Sequence, residues 1–328
     1  MMYEIAIIGG GPAGISMAVE ARYADIPAEK IMILEKGTQH SWAIRLHYPP
    51  DKMVLENYKG FDVMPEGALG IGDLTKDDTL AYLSRAITEH GLTVNYKEPV
   101  VSIHHDPQCC FIIQTSKSQY QARNCAIAIG ILDKPNRPEY KLPLSLKPKT
   151  HFLLGDNILN GTDYLVVGGG DTAAERANYL CKHGKNVTLS YRKSEFARMS
   201  EESLDAITQL EQDGKLLILR GSNIKKVDNA RGKVSVTFSE ELYGNRQYDH
   251  IVYCLGGSTP VGFLKGIGIE FDGGAPVIRD GYETNIPHLF LIGDLSAGLK
   301  GGSVNWAFNS AHAAMRKICD RYLQKIIE

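Results

Sequence analysis

The chain has 328 residues, with 36 Lys and Arg against 38 Asp and Glu and a formal net charge of -2, which is enough for two domains or three, each with its own core. A hydrophobic fraction of 43% and a charged fraction of 23% exclude disorder and collagen-like fibres, and the near-neutral balance argues against a protein built to grip nucleic acid. No apolar run approaches the roughly 20 residues of a membrane-spanning helix, and the N-terminus has no basic or long apolar stretch, so no integral membrane association, no secretory signal and a cytoplasmic location are expected.

In chain order, YEIAIIGGGPAG (3–14) reads as an apolar strand, a three-glycine turn and a helix whose Ile15, Met17, Ala18, Val19 and Ala21 suit packing on a sheet. Strand Ile31–Leu34 follows and ends at Glu35. Thr75-x-x-Asp78 is a variant capping box that opens a helix through about Glu89. Segments near 98–104, 110–115 and 119–123 alternate as a short antiparallel meander, and NCAIAIG (124–130) reads as a separate buried strand closed by Gly130. The stretch 133–150 holds four of the fourteen prolines and reads as a linker. TDYLVVGGGDTA (162–173) repeats the first device, with its helix running to about Lys182 and the next strand spanning Asn186–Tyr191. HIVYCLGG (250–257) resembles NCAIAIG, and a second linker is expected near 245–260. The tail is strand LFLIGD (289–294), a glycine-rich loop and a helix from about Ser303.

The six cysteines (109, 110, 125, 181, 254 and 319) show no Cys-x-x-Cys and no metal spacing, as expected of free, mostly buried thiols in a reducing compartment. Cys109 and Cys110, as strand neighbours, should point to opposite faces and be structural.

Three motifs carry chemistry. In Gly9-x-Gly11-Pro12-Ala13-Gly14 the first glycine permits the tight turn and the second lets backbone approach a pyrophosphate. The third lets helix and strand pack closely, and the helix N-terminus offers unpaired N–H groups to phosphate. Glu35, followed by Lys36, ends the next strand, where a carboxylate accepts ribose hydroxyls. In Gly168-x-Gly170-Asp171-Thr172-Ala173 the following strand ends instead in Arg192-Lys193, with Arg198 beyond; these cations suit a 2′-phosphate that an acid would repel. The first site therefore suits an adenosine with a free ribose and the second NADP. Gly293-Asp294, then Ser303 and Val304 at a helix start, could hold the polyhydroxyl chain of a flavin and stabilise charge on its reduced ring.

GGGPAG, Glu35, ENYKGF (56–61), IAIG (127–130), GGGDTAAE (168–175), YRK…R (191–198) and LIGD (291–294) together resemble the thioredoxin-reductase-like flavoproteins over nearly the whole chain. The resemblance implies an α/β fold of two Rossmann-like dinucleotide-binding domains, with the NADPH domain (156–250) inserted between the two parts of an FAD domain (1–155 and 251–328). It implies Asn57 as a flavin contact, a homodimer, and a rotating nucleotide domain hinged near 133–160 and 245–260. FAD would bind at Gly9, Gly11, Gly14, Glu35, Asn57 and Asp294, and NADPH at Gly168, Gly170, Asp171, Thr172, Arg192, Lys193 and Arg198.

Thioredoxin reductases carry a Cys-x-x-Cys early in the NADPH domain, whereas this chain has no cysteine between Cys125 and Cys181. Thioredoxin-reductase-type ferredoxin–NADP reductases share this plan without the dithiol, and the chain resembles the similarly built flavodoxin:quinone reductases through NRPEYKLP (136–143), YRKSEFARMSEES (191–203) and GGSTPVGFLK (256–265). That implies an NADPH-dependent reductase passing electrons through FAD directly to flavodoxin, ferredoxin or a quinone, with no side-chain acid, base or nucleophile. The alternatives are a disulfide reductase with an unrecognised thiol, a flavin monooxygenase and a non-enzymatic NADPH-sensing flavoprotein. Bacillithiol-disulfide reductases have a cysteine where this chain has Ala13, and of the monooxygenases' glycine–histidine–aromatic signature only His151 is near its place. Lys52, Lys59, Lys300 and Arg45 are candidate docking cations for an acidic carrier, and Trp42, Tyr48 and Trp306 are candidates to stack on the flavin.

Overall fold

Short apolar strands such as Ile31–Leu34 and Leu289–Leu291 are built for burial on both faces, and the chain is organised around two sheets, one mixed and one parallel. A computed structural model describes residues 1–49, 52–58, 62–131, 135–152, 160–256, 260–298 and 301–323. They fall into two units, one comprising Met1–Arg45, Met53–Asp133 and Ser258–Glu328, the other Leu46–Lys52 and Lys134–Gly257. Among the described residues no helix is long and apolar enough to cross a membrane.

In the first unit, strand Met2–Ile8 lies between Ile31–Leu34 and Gln119–Ile127, parallel to both, with Ile5 opposite Ile31 and Asn124. Leu289–Leu291 joins the same sheet beside Cys125–Ile127, so the two ends of the unit meet in one layer. Ile5, Ala6, Ile7 and Phe290 are fully buried. Helices Pro12–Tyr23 and Val304–Ile318 are joined by His312 Nδ1 and Glu20 Oε2 at 3.0 Å. The capping box holds, with Thr75 accepting from Asp78 N at the start of helix Lys76–Glu89. The meander is present in Val100–Asp106 and Cys110–Thr115, but its third strand and the separate strand expected at 124–130 are one nine-residue strand, Gln119–Ile127. Nothing between Arg123 and Asn124 breaks it, since buried Asn124 is satisfied by Glu4 O.

The second unit has a five-stranded parallel sheet in the order Leu216–Arg220, Asn186–Tyr191, Asp163–Val167, His250–Tyr253, Thr150–His151. Helices Asp171–Lys182 and Glu201–Gln212 cover one face. The antiparallel strands Ile224–Ala230, Lys233–Phe238 and Asn245–Tyr248 supply the apolar cluster on the other. Both expected linkers need correction. Within 133–150, Leu146 is fully buried in that cluster, and Thr150–His151 pairs with Ile251–Val252. The stretch 245–260 contains two strands, so a boundary at 250/251 would cut His250–Tyr253; the unit instead runs to Gly257. It also begins at Lys134 rather than at 156. The boundary expected at 155/156 lies outside the described residues, as do the crossings at 132–134 and 257–259.

Candidate functional site

Each glycine of the first turn has a separate physical reason. Gly9 has φ +113°, and a Cβ there would fall 2.5 Å from Ala128 O; a Cβ on Gly14 would fall 1.9 Å from Gly9 O. The fold itself requires these two. Gly11 differs, because its φ of -85° is open to any residue and a Cβ there meets nothing within 4 Å. Pro12 starts the helix, no side chain caps it, and Ala13 is 5% exposed against the turn. Glu35 is buried, with Oε2 accepting from Gly10 N at 2.8 Å and Oε1 from Gly37 N at 2.6 Å. Those bonds fix the carboxylate beside the turn and leave lone pairs for hydroxyl donors. Lys36 is exposed next to it, and Gly130 adopts φ +64° after the neighbouring strand.

The C-terminal motif meets this turn. A Cβ on Gly293 would lie 2.9 Å from Ala13 Cβ, and Gly293 N donates to Ser310 Oγ. Asp294 Oδ1 accepts from Gly302 N at 2.8 Å, and Ser303 Oγ caps the helix that begins at buried Val304 by accepting from Trp306 N. Tyr58 packs on Gly302, while Asn57 is exposed and its Oδ1 accepts from Val63 N at 3.3 Å. Trp42 packs on Gly37, Trp306 lies edge-on to Tyr282, and Tyr48 lies under Lys52, so each of the three candidate stacking rings has a protein neighbour.

The second turn repeats the first. A Cβ on Gly168 would fall 2.4 Å from Cys254 O, and one on Gly169 would enter the Tyr191 ring at 2.1 Å. Gly170, which precedes the helix, again meets nothing within 4 Å. Ala173 is fully buried and Thr172 exposed. Asp171 Oδ1 accepts from both Ser200 N and Ser200 Oγ at 2.7 Å, and Gly170 bridges to Arg198, which ties the 198–200 turn to the helix start. Asp171 therefore acts on this loop. Arg192, Lys193 and Arg198 are exposed, and none forms an ion pair with a described residue.

Two uncapped glycine turns, each with an open second glycine, are the arrangement of a protein that binds two dinucleotides. Residues 6–293 match the family described as pyridine nucleotide-disulphide oxidoreductase. The chain belongs to this family. It is similar to the ferredoxin–NADP reductase of Ignicoccus hospitalis, at 28% identity over 91% of this chain and 92% of that one. It is also similar to the protein of the same name from Halalkalibacterium halodurans, at 27% identity over 90% and 85%. Among solved structures, the bacillithiol disulfide reductase of Staphylococcus aureus shares the fold, with a TM-score of 0.82 and 24% identity over 98% of this chain and 99% of that one. Like the family, this protein is an NADPH-dependent oxidoreductase with FAD and NADPH as its cofactors and two Rossmann-type domains.

In this oxidoreductase, several residues escaped sequence reasoning. Asn305, fully buried, accepts from Ile71 N and donates to Ile71 O, and Asn309, one turn on, accepts from Glu66 N and donates to Met64 O. Together they fasten the 64–71 segment to helix Val304–Ile318. Their one signal was two asparagines four apart on one helix face. An Asn305→Ala variant strands two backbone groups and should lose on the order of 2 kcal/mol of stability in urea unfolding, with faster flavin loss on gel filtration. Arg176 gave no signal in the sequence. It is 1% exposed, its Nη2 donates to His47 O at 3.3 Å, and Nε and Nη1 have no partner among the described residues.

Two of the four expected docking cations have protein partners. Lys52 pairs with Glu175 at 2.5 Å. Arg45 donates from Nε to His40 O and from Nη2 to His40 Nε2 at 3.0 Å. Lys59 and Lys300 lie outside the described residues. Since Arg45 only donates, His40 Nε2 must accept and Nδ1–H points to Ser41 Oγ. Ser41 N in turn bonds Gly10 O in the glycine turn. Burial and then Arg45 lower the His40 pKa from 6.5 to about 4. The folded chain thus binds fewer protons than the unfolded chain between these values. The contribution of His40 to stability is complete above pH 6.5 and is lost as pH falls through about 4. A His40→Asn variant should show a shallower fall of thermal midpoint across that window than the wild type.

Proposed function

We propose that this oxidoreductase passes electrons from NADPH through FAD straight to an external carrier, either a ferredoxin, a flavodoxin or a quinone, without a redox dithiol. The observation that carries the reading is where the thiols lie. Among the described residues the one pair of adjoining sulfurs is Cys109 and Cys110. Phe111, next to them, is in register with Ala122, six residues and roughly 20 Å of strand before Ala128, which abuts Gly9. Cys254 does sit against the second turn, but burial pushes its thiol up to about 11, so it is held protonated. The names of the two ferredoxin–NADP reductase relatives support the same acceptor class.

The residues fit the cofactors at the two open glycines. In the first unit, Gly9, Gly11 and Gly14 with the helix N-terminus would hold the FAD diphosphate, Glu35 a ribose, and Gly130, Asn57, Gly293, Asp294, Ser303 and Val304 the flavin half. In the second, Gly168, Gly170, Thr172 and Ala173 would hold the NADPH diphosphate, Asp171 would set the loop that carries Arg198, and Arg192, Lys193 and Arg198 would pair with the 2′-phosphate. What FAD supplies when bound is hydride acceptance at N5 and release of electrons singly or in pairs. The chain binds, orients and stabilises charge. The reading includes a homodimer, which sedimentation would reveal.

The test is anaerobic. The enzyme is reduced with one equivalent of NADPH and mixed rapidly with oxidised ferredoxin, flavodoxin, a quinone, thioredoxin or bacillithiol disulfide. Carriers or quinone should reoxidise the flavin quickly while the disulfides stay inert, and iodoacetamide treatment of the native enzyme should change nothing. Reoxidation by a disulfide alone, abolished by alkylation, would overturn the proposal.

A further inference from the structure

Cys109 and Cys110 do not behave as strand neighbours. The regular strand begins at Cys110, and Cys109 belongs to the preceding turn, so alternation of side chains does not separate them. Asp106 builds that turn, its Oδ1 accepting from Gln108 N at 3.0 Å and its carbonyl from Cys109 N at 3.1 Å. Its other oxygen, Oδ2, accepts from Cys109 Sγ at 3.4 Å. The two sulfurs are brought to 2.8 Å, less than 1 Å beyond a covalent S–S bond of ~2.05 Å. Cys109 is exposed and Cys110 is 3% exposed, so an outside reagent meets Cys109 first.

We propose that Cys109 and Cys110 form a reversible modification site that closes to a vicinal disulfide at the expense of a low-molecular-weight disulfide. The Cys109 thiolate attacks one sulfur of R–S–S–R, forming a mixed disulfide and releasing one R–S⁻. Cys110 then attacks Sγ of Cys109 and releases the second. The pair loses two electrons and two protons, and the external disulfide becomes two thiols. Adjacent Cα atoms are ~3.8 Å apart, below the usual ~4.4 Å minimum of a disulfide, so the ring is strained and is readily reopened by thiols. Closure is gated. Cys110 Sγ first, then desolvation and Asp106, push the Cys109 thiol up to about 12, which keeps Cys109 protonated and its attack slow at neutral pH. Asp106→Asn retains the turn and removes the charge. If it lowers that pKa by one unit, the tenfold gain in thiolate, offset by lower nucleophilicity, leaves closure about threefold faster.

The experiment exposes full-length holoprotein to oxidised glutathione at alkaline pH and follows intact mass. The wild type should lose two hydrogens without retaining glutathione, and dithiothreitol should restore them. Cys110→Ser should hold glutathione stably on Cys109. Because that buried substitution could impair folding, the wild type is also titrated with phenylarsine oxide, and one arsenical should protect both cysteines from alkylation. A stable glutathione adduct on wild-type Cys109, or two cysteines that alkylate independently after one equivalent of arsenical, would overturn the proposal.

Discussion

A Gly11→Val variant should fold with a thermal midpoint near that of the wild-type apoprotein and should purify without its flavin. The expectation rests on the contrast among the three glycines of one turn. At Gly11 a Cβ meets no protein atom within 4 Å and the backbone is already extended, so the fold loses at most about 1 kcal/mol of helix-start preference. A diphosphate seated against that backbone is displaced and loses one or two charge-assisted bonds to the helix N–H groups. That is about 3 kcal/mol, or roughly a hundredfold in affinity. Gly14→Val should fail differently, because its Cβ would lie 1.9 Å from Gly9 O, and the variant should be insoluble or unfolded rather than colourless. Visible absorbance per mole of protein and apoprotein melting separate the two failures. Full flavin occupancy in Gly11→Val would mean that this open position is not the diphosphate site.

The second large effect concerns coenzyme choice. Arg192, Lys193 and Arg198 are exposed cations beyond strand Asn186–Tyr191, with no ion-pair partner among the described residues, and Arg198 is held at the glycine turn by its bridge to Gly170. Each charge-assisted bond to a 2′-phosphate contributes about 1.5 kcal/mol or more, a factor of about ten. The double variant Arg192→Ala/Arg198→Ala should therefore lose about a hundredfold in kcat/KM for NADPH while kcat/KM for NADH stays within about twofold. Equal losses with both coenzymes would assign these arginines to the diphosphate or to loop structure. Asp171→Ala should weaken the NADPH preference more mildly, since it frees Ser200 and lets the Arg198 turn drift.

Much of this was legible in the residues themselves. Glycine turns announce their geometry because no other residue tolerates a Cβ at Gly9, Gly14 or Gly168, and the apolar strands beside them cannot be anything but buried. The strand-end acid at Glu35 and the strand-end base at Arg192 are single residues whose charge carries the meaning. Elsewhere the signal was absent for physical reasons. Prolines in 133–150 erase periodicity, although Leu146 still reaches the core of the second unit. His250–Tyr253 is a four-residue buried strand, too short to stand apart from a linker. Asn305 and Asn309 read in the sequence as solvent-facing amides, because only the 64–71 segment shows which backbone groups they satisfy. The pairing of Cys109 with Cys110 depended on where a strand begins, and a one-residue shift of that boundary reverses which way a side chain faces.

The pairing of Leu289–Leu291 with Cys125–Ile127 bears on how the enzyme is made. His288 bonds Asn124 across 164 residues of chain, and the motif that meets Ala13 follows directly after Leu291. On the ribosome the N-terminal half of the first sheet therefore emerges with an open edge at Cys125–Ile127 and waits while the second unit, which apart from Leu46–Lys52 comes from one continuous stretch, is synthesised and folds. The Gly293-Asp294 motif meets Ala13 only at the end of synthesis, and a nascent chain stalled before Leu289 would be left with an exposed apolar edge, the kind of surface that recruits chaperones.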